Sequence, residues 1–147
     1  MQHESESGTL LVGAGLRPTT IRERVLALLL EVGGALSHRD LAERLSDLDR
    51  VSIFRTLKHL RHAGLIHDVW GGDGILRHVG NNVEGEACPG GHPHFFCETC
   101  GTLSCLPGQV FPHVPLPSGY SARGKQLLVY GSCPRCHSES AVPGAEA

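Results

Sequence analysis

The sequence has no long hydrophobic run and few aromatic residues. Phe, Trp and Tyr make up 5% of its 147 residues, and there is a single Met. The apolar run Leu10–Val12 is far too short for a signal sequence or a membrane span, and residues 1–15 contain no Lys or Arg. We therefore expect a cytoplasmic protein with no membrane partner.

The sequence also lacks the familiar catalytic patterns. It contains no Ser-His-Asp order, no phosphate-binding loop and no paired-carboxylate site. We therefore expect neither an enzymatic activity nor a small-molecule substrate. A thiol-redox module built on the C-x-x-C pairs is a remote alternative, because those pairs sit among predicted short strands rather than before a helix.

Excess positive charge is missing from the chain as a whole but not from one part of it. The formal net charge of -2 excludes a generally basic protein that coats nucleic acid. Between Arg17 and Arg61, however, nine Lys and Arg residues face six Asp and Glu. This local excess is compatible with a DNA-binding face.

Three helices and a hairpin are predicted between residues 17 and 80. Apolar residues recur at helical spacing after Thr19 or Thr20, after the capping-box sequence Ser37–Asp40, and again between Ile53 and Ala63. Two short extended runs then flank the glycine-rich turn 71–74. This order of elements is typical of a winged helix-turn-helix.

The remaining segments differ in composition. We expect a flexible arm at 1–16, the winged-helix DNA-binding domain at 17–80, a hinge at 81–87, a metal-binding domain at 88–137 and a disordered tail at 138–147. All six cysteines and several short extended runs fall in the metal-binding domain. The predicted fold class is α+β, with a small C-terminal α/β domain that a bound zinc ion stabilises.

The third predicted helix has no carboxylate on its outward face. Arg and Ser or Thr side chains pair with base edges in the major groove, whereas Lys and Arg at the far end of the helix meet phosphates. An ordinary solvated basic helix is the alternative, and the hairpin that follows favours DNA. The inward positions are Ile53, Phe54, Leu57, Leu60 and Ala63; the outward ones are Ser52, Arg55, Thr56, Lys58, His59, Arg61 and His62.

Two C-x-x-C pairs predict a structural zinc site. Each turn presents two sulfurs toward one point, and two such turns complete the tetrahedron that zinc prefers. The spacing is strongly specific for metal binding in a reducing compartment. The four ligands are Cys97, Cys100, Cys133 and Cys136.

Further histidines and cysteines predict a second metal site. Strand alternation places His92 and His94 on one face and Cys97 on the other, so this pair belongs to a different site. If the turn is 71–74, His67 and His78 lie opposite each other and close enough to share a metal. Thiolate and imidazole together suit zinc. The candidate ligands are His67, His78, Cys88, His92, His94 and Cys105, and His38 is a further candidate.

Such a site would draw ligands from both sides of the 81–87 hinge. His67 and His78 precede the hinge, whereas His92 and His94 follow it. A metal bridging both sides would fix the angle between the domains, which predicts a switch. Surface or packing histidines are the alternative for the H-x-H pair.

Over roughly residues 17–137 the chain resembles the ferric uptake regulator family of metal-responsive repressors. The order and spacing of several stretches carry the resemblance together: Leu-Ser-His-Arg-Asp-Leu (36–41), Ser-Ile-Phe-Arg-Thr-Leu (52–57), Ala-Gly-Leu-Ile (63–66), His-Pro-His-Phe-Phe-Cys-Glu-Thr-Cys-Gly (92–101) and Cys-Pro-Arg-Cys (133–136). The resemblance implies a homodimer, formed through the C-terminal domain, that binds a palindromic DNA operator and represses metal uptake genes.

The resemblance also implies roles for individual residues. His92 and His94 match the family's regulatory H-x-H pair, His67 and His78 resemble wing ligands of zinc-sensing members, and Cys105 stands where a carboxylate is usual. Cys88 resembles a cysteine of some zinc-sensing members. The DNA-contacting residues expected are Arg17 near the minor groove, Arg50, Ser52, Phe54, Arg55, Thr56 and Lys58.

Departures from the family pattern favour zinc as the sensed metal. The usual carboxylates of the regulatory site are Cys or His here, which suits a second, regulatory Zn²⁺ better than Fe²⁺. The family often has a histidine where this chain has Ala35, and His38 is the candidate substitute. We therefore expect a zinc-responsive repressor, with an iron- or peroxide-responsive repressor of the same family as the alternative.

Overall fold

The computed structural model describes residues 2–81, 92–106, 108–109 and 111–139. The part before residue 82 contains four helices and three strands: α1 (Gln2–Gly13), α2 (Thr20–Val32), β1 (Leu36–Ser37), α3 (His38–Arg44), α4 (Arg50–His62), β2 (Ile66–Trp70) and β3 (Leu76–Gly80). The part after residue 91 contains β4 (His94–Cys97), β5 (Leu103–Cys105), β6 (Leu128–Gly131) and α5 (Pro134–Glu139). The α+β fold class is as predicted.

Local sequence signals set the ends of the winged-helix elements. The Thr19 side chain caps α2, which ends at Gly33 in a left-handed conformation, φ 60°. Ser37 and Asp40 form a complete capping box at α3, and Asp49 caps α4. Each capping side chain accepts a backbone N–H that the first helical turn leaves without a partner.

The prediction of a flexible arm at residues 1–16 is wrong. Residues 2–13 form α1, which packs against α2, and Leu11 is fully buried in the core with Ser7 beside it. The Gly and Ser content of this segment disfavours a free helix. Packing of Leu11 between helices supplies the stability that composition does not.

The main core lies among the helices of the N-terminal half. Its fully buried members include Leu11, Leu26, Leu29, Ile53 and Leu60. Burial of one such side chain contributes about 1.5–3 kcal/mol. This core fixes α4 against α2 and holds the exposed face of α4 toward solvent.

The wing sheet contains three strands in the order β1-β3-β2, and both β1 and β2 run antiparallel to β3. The C-terminal sheet has the order β5-β4-β6, with β4 antiparallel to β5 and parallel to β6. A second apolar cluster joins the two sheets through Val69, Val79, Phe96 and Leu103. The wing and the C-terminal sheet therefore share a small core.

The described residues between β5 and β6 form neither helix nor strand. Shortly before β6 the Gln126 side chain pairs with the backbone of Trp70 on β2, accepting its N–H at 2.9 Å and donating to its carbonyl at 2.7 Å. Helix α5 then reaches Glu139, so residues 138 and 139 are helical rather than part of the predicted disordered tail. Among the described residues, no helix is long and apolar enough to span a membrane.

Candidate metal centres and DNA-facing helix

The four cysteines of the C-x-x-C pairs converge on one point. The sulfur atoms of Cys97, Cys100, Cys133 and Cys136 all lie within 4.8 Å of one another, and those of Cys100 and Cys133 are 3.8 Å apart. Four sulfurs at about 2.3 Å from a tetrahedral zinc would be separated by roughly 3.8 Å. The cluster therefore fits zinc in donor type, number and size.

Two turns build this cluster. After β4 the chain turns back at Gly101, whose φ of 73° favours glycine, and the Gly101 N–H donates to the Cys97 carbonyl at 2.9 Å. From the other side, the Cys133 N–H donates to the Cys97 sulfur at 3.3 Å. The start of α5 then places Cys136, which is buried, against the first pair.

The thiols of this cluster differ in acidity. Backbone N–H groups of Cys100 and Cys133 favour the Cys97 thiolate and lower its pKa to about 6. Hydrogen bonding to Cys133, burial and the other sulfurs raise the pKa of Cys136 to about 12. A cation bound among the four sulfurs would favour ionisation of the Cys136 thiol.

A second cluster combines His67, His94 and Cys105. Their ligand atoms lie within 4.8 Å of one another, and the Nε2 atoms of His67 and His94 are 3.4 Å apart. Two imidazole nitrogens on one tetrahedral zinc, at about 2.0–2.1 Å from it, would be roughly 3.4 Å apart. His94 and Cys105 are direct partners across the β4–β5 pair. The three residues fit three ligands of a tetrahedral zinc.

This second cluster lies where the two sheets meet. His67 belongs to β2 of the wing, whereas His94 and Cys105 belong to the C-terminal sheet. Both histidines are buried, at 9% and 2% exposure. A metal ion held by all three would therefore connect the wing to the C-terminal domain, as the sequence predicted for the regulatory site.

The predicted pairing of His67 with His78 is wrong. The hairpin aligns His67 with Val79 and His78 with Asp68, because the loop contains Ile75 as well as residues 71–74. His78 Nδ1 lies 2.7 Å from an Asp68 carboxylate oxygen. His78 is therefore outside the three-residue cluster and has a carboxylate partner instead.

The other candidate ligands lie apart from the cluster or outside the described residues. The His92 ring centroid is 4.9 Å from that of His94, but His92 is not a member of the three-residue cluster. His38 Nε2 lies 3.1 Å from the Arg50 carbonyl and belongs to the α3–α4 contact. Cys88 and the predicted hinge from residue 82 onward lie outside the described residues.

Sequence reasoning missed Asp68, which links the wing to α4. Its carboxylate accepts from Arg61 of α4 and contacts His78 of β3. Burial raises the pKa of Asp68, but the contacts with His78 and Arg61 outweigh burial and leave the pKa below its usual value. The alternation of side chains along β2 could have identified Asp68, because it turns Asp68 away from the face that carries His67.

Most of the predicted DNA-facing residues are exposed on or near α4. Arg50, Arg55 and Lys58 are exposed, Ser52 is partly exposed, and Arg17 is exposed before α2. The Arg22 guanidinium donates to the Arg17 carbonyl at 2.8 Å, which ties this segment to α2.

Two positions on α4 differ from the predicted faces. Thr56 is 6% exposed and lies on the core side with Ile53 and Leu60, so it is not placed to contact DNA. Phe54 was expected to face inward but is 61% exposed. Thr56 lies three residues after Ile53 and four residues before Leu60. Residues at these spacings share one face of a helix, so Thr56, rather than Phe54, is an inward position.

The architecture therefore consists of a winged helix joined to a small sheet domain with two metal-ligand clusters. This is the fold of the ferric uptake and zinc uptake regulators. It is similar to a zinc uptake regulator bound to zinc and DNA (TM-score 0.67, 18% identity, 96% of this chain and 97% of that one). It is also similar to holo XcZur (TM-score 0.64, 19% identity, 93% and 98%).

The ferric uptake regulator of Vibrio cholerae has the same fold, with a TM-score of 0.59 and 18% identity over 86% of this chain and 98% of that one. No protein-family model and no curated protein matches the sequence.

Proposed function

We propose that the protein is a zinc-responsive transcriptional repressor that binds a palindromic DNA operator as a homodimer and controls metal uptake genes. The observation that carries this proposal is the cluster of His67, His94 and Cys105 at the contact between the wing and the C-terminal sheet. A structure similar to this chain contains a zinc uptake regulator with zinc and DNA.

The donor set supports zinc as the sensed metal. Two imidazoles and a thiolate form a borderline-soft set, which favours zinc over iron or manganese, whose sites are richer in oxygen. Of the described candidates, His92 is next to the cluster, with its ring centroid 4.9 Å from that of His94, and it would be the fourth ligand in this proposal. In this proposal the four-cysteine cluster holds a separate structural zinc that stabilises the C-terminal domain.

The exposed face of α4 supports DNA as the partner. In this proposal Arg55 and Ser52 read base edges, Lys58 meets a phosphate, and Arg50 is a further contact at the start of the helix; their exposure supports these roles. Arg17 lies beside the minor groove in this arrangement. Phe54, which is 61% exposed in the first turns of the same helix, is a further DNA contact in this proposal.

The ligands explain how metal could control DNA binding. Bound zinc supplies a cation that attracts the three side chains to one point. His67 belongs to the wing, and His94 and Cys105 belong to the C-terminal sheet, so a metal ion held by all three would favour one angle between the two. Shifting a dimer from mostly open to mostly closed requires about 5.5 kcal/mol of differential affinity.

The proposal is tested with full-length protein on a duplex selected from genomic fragments by the zinc-loaded protein. Fluorescence anisotropy at buffered free zinc measures binding, and metal analysis measures zinc per protomer. His94→Ala should retain the four-cysteine zinc but lose zinc-dependent DNA binding. His113→Ala, at an exposed histidine outside both clusters, is the matched control and should behave as wild type.

Two results would contradict the proposal. Wild-type protein that selects no duplex, or that binds it equally with and without zinc, would exclude a zinc-responsive repressor. Activation by Fe²⁺ or Mn²⁺ but not by Zn²⁺ would assign the same fold to a different metal signal.

A further inference from the structure

Asn81 connects the second metal-ligand cluster to the recognition helix. Its Oδ1 lies 2.6 Å from His67 Nδ1, and its Nδ2 donates to the Gly64 carbonyl at 2.7 Å. Gly64 follows Ala63, the C-cap residue of α4. One side-chain amide therefore touches both a proposed zinc ligand and the end of the helix proposed to read DNA.

Hydrogen-bond chemistry fixes the orientation of this amide. The Gly64 carbonyl can only accept, so the NH₂ group of Asn81 must face it, and Oδ1 must face His67. Oδ1 can only accept, so His67 Nδ1 carries the proton. The other nitrogen, Nε2, then has its lone pair directed toward His94 Nε2, 3.4 Å away. Asn81 thus selects the tautomer of His67 that can bind a metal.

The Gly64 carbonyl is a rigid part of the α4 terminus. Gly64 has φ 76°, its N–H donates to the Arg61 carbonyl, and the Leu65 N–H donates to the Leu60 carbonyl, each at 3.0 Å. This is the hydrogen-bond pattern of a Schellman C-cap. The Asn81 N–H also donates to the Leu65 carbonyl at 2.8 Å. A displacement of Asn81 is therefore transmitted to the last turn of α4.

We propose that Asn81 is a positioning residue that couples metal binding at His67 to the placement of helix α4. This inference rests on the proposed function, because it concerns the same metal cluster and the same DNA-reading helix. Asn81 does not bind the metal or DNA in this scheme. It orients the His67 ring through Oδ1 and passes a change in ring position to the Gly64 carbonyl through Nδ2.

Two substitutions separate the two hydrogen bonds. Asn81→Ala removes both. Asn81→Asp keeps an oxygen acceptor for His67 Nδ1 but has no donor for the Gly64 carbonyl at neutral pH. The backbone bond from residue 81 to Leu65 remains in both variants. Asn81→Asp therefore preserves the orientation of His67 and removes only the side-chain link to α4, which makes it the matched counterpart of Asn81→Ala.

Zinc affinity and DNA coupling are measured separately in the full-length protein. Competition with a zinc chelator gives the affinity of the second site, and Co²⁺ absorption spectra report its coordination. The coupling is the ratio of duplex affinities, by anisotropy, at saturating zinc and with only the four-cysteine site loaded. Loss of an orienting partner lowers metal affinity roughly 10- to 100-fold, which is expected for Asn81→Ala. Asn81→Asp should bind zinc as tightly as wild type or more tightly, yet show a reduced coupling ratio.

A merely structural role would give a different result. Duplex affinity would then fall by the same factor with and without zinc, which leaves the coupling ratio at its wild-type value and overturns the inference. If Asn81→Ala does not fold, the coupling ratio of Asn81→Asp decides alone. If wild-type protein shows no zinc-dependent DNA binding, the proposed function fails. If wild type shows it and the Asn81 variants have the same coupling ratio, only the inference about Asn81 fails.

Discussion

The Arg77 guanidinium lies 5.2 Å from the centre of the Phe96 ring and thereby joins the wing to the C-terminal sheet. The same group donates to both carboxylate oxygens of Asp73 at 2.8 Å. A Cβ atom on Gly72 would lie 3.0 Å from the Phe96 ring, so the wing turn also packs closely on it. Arg77 therefore holds the wing turn and the C-terminal domain together.

Replacement of Arg77 should destabilise the protein. Arg77→Ala removes two charge-assisted hydrogen bonds and the contact with Phe96, and it leaves Asp73 without this partner. We expect a loss of about 1–3 kcal/mol in the free energy of unfolding, measured by urea denaturation of zinc-loaded protein. Arg77→Lys keeps the charge but not the two-point contact, so its free energy of unfolding should lie between those of wild type and Arg77→Ala. An Arg77→Ala midpoint equal to that of wild type would refute the role of this contact.

The Asp73–Arg77 pair should also give a defined pH dependence. The hydrogen bond from Arg77 lowers the pKa of Asp73 from 3.8 to about 2. Because the folded-state pKa is the lower one, the stabilisation is complete above about pH 5 and is lost as pH falls toward 2. Urea midpoints of wild type and Asp73→Asn should thus differ at pH 7, draw closer below about pH 4 and meet only near pH 2. Zinc release in acid affects both proteins, so the difference between them is the informative quantity; a constant difference would contradict the assignment.

The four-cysteine cluster should be required for the C-terminal domain to fold. Cys97 is fully buried, and its sulfur also accepts the Cys133 N–H. Cys97→Ser should lower zinc content by one ion per protomer and abolish dimer formation, because zinc binding and folding are coupled in such sites. Metal analysis, circular dichroism and sedimentation measure these changes. A metal-free Cys97→Ser protein with native-like spectra and an intact dimer would show that the site is dispensable.

The exposed and buried positions of α4 should respond differently to substitution. Arg55→Ala should weaken binding to the selected duplex by about 1–3 kcal/mol if Arg55 reads a base. Lys58→Ala should weaken binding to all duplexes and reduce the salt dependence. Thr56→Val preserves volume at a buried position and should leave DNA affinity unchanged. Equal affinity of Arg55→Ala and wild type would place the DNA-reading surface elsewhere.

Local chemistry made much of the fold predictable. Thr19, Ser37 with Asp40, and the glycines after α2 and α4 mark helix ends, because capping depends on a few neighbouring residues. The C-x-x-C spacing likewise predicted the cluster around Cys97, since two short turns bring its sulfurs together.

Features set by tertiary packing were not predictable in the same way. The position of Ile75 in the hairpin loop shifts the register by one residue, so His78 meets Asp68 instead of His67. Helix α1 depends on burial of Leu11 against distant residues. The link from His67 through Asn81 to Gly64 joins positions 14 and 17 residues apart, and no local pattern encodes it.

The pairing of Gln126 with Trp70 has a consequence for association between molecules. Strand β2 is at the edge of its sheet, and exposed edge groups can recruit a strand from another chain and start aggregation. The Gln126 amide occupies both the N–H and the carbonyl of Trp70, as a neighbouring strand would. A single side chain thus blocks edge-to-edge growth at this point of the wing without adding a strand.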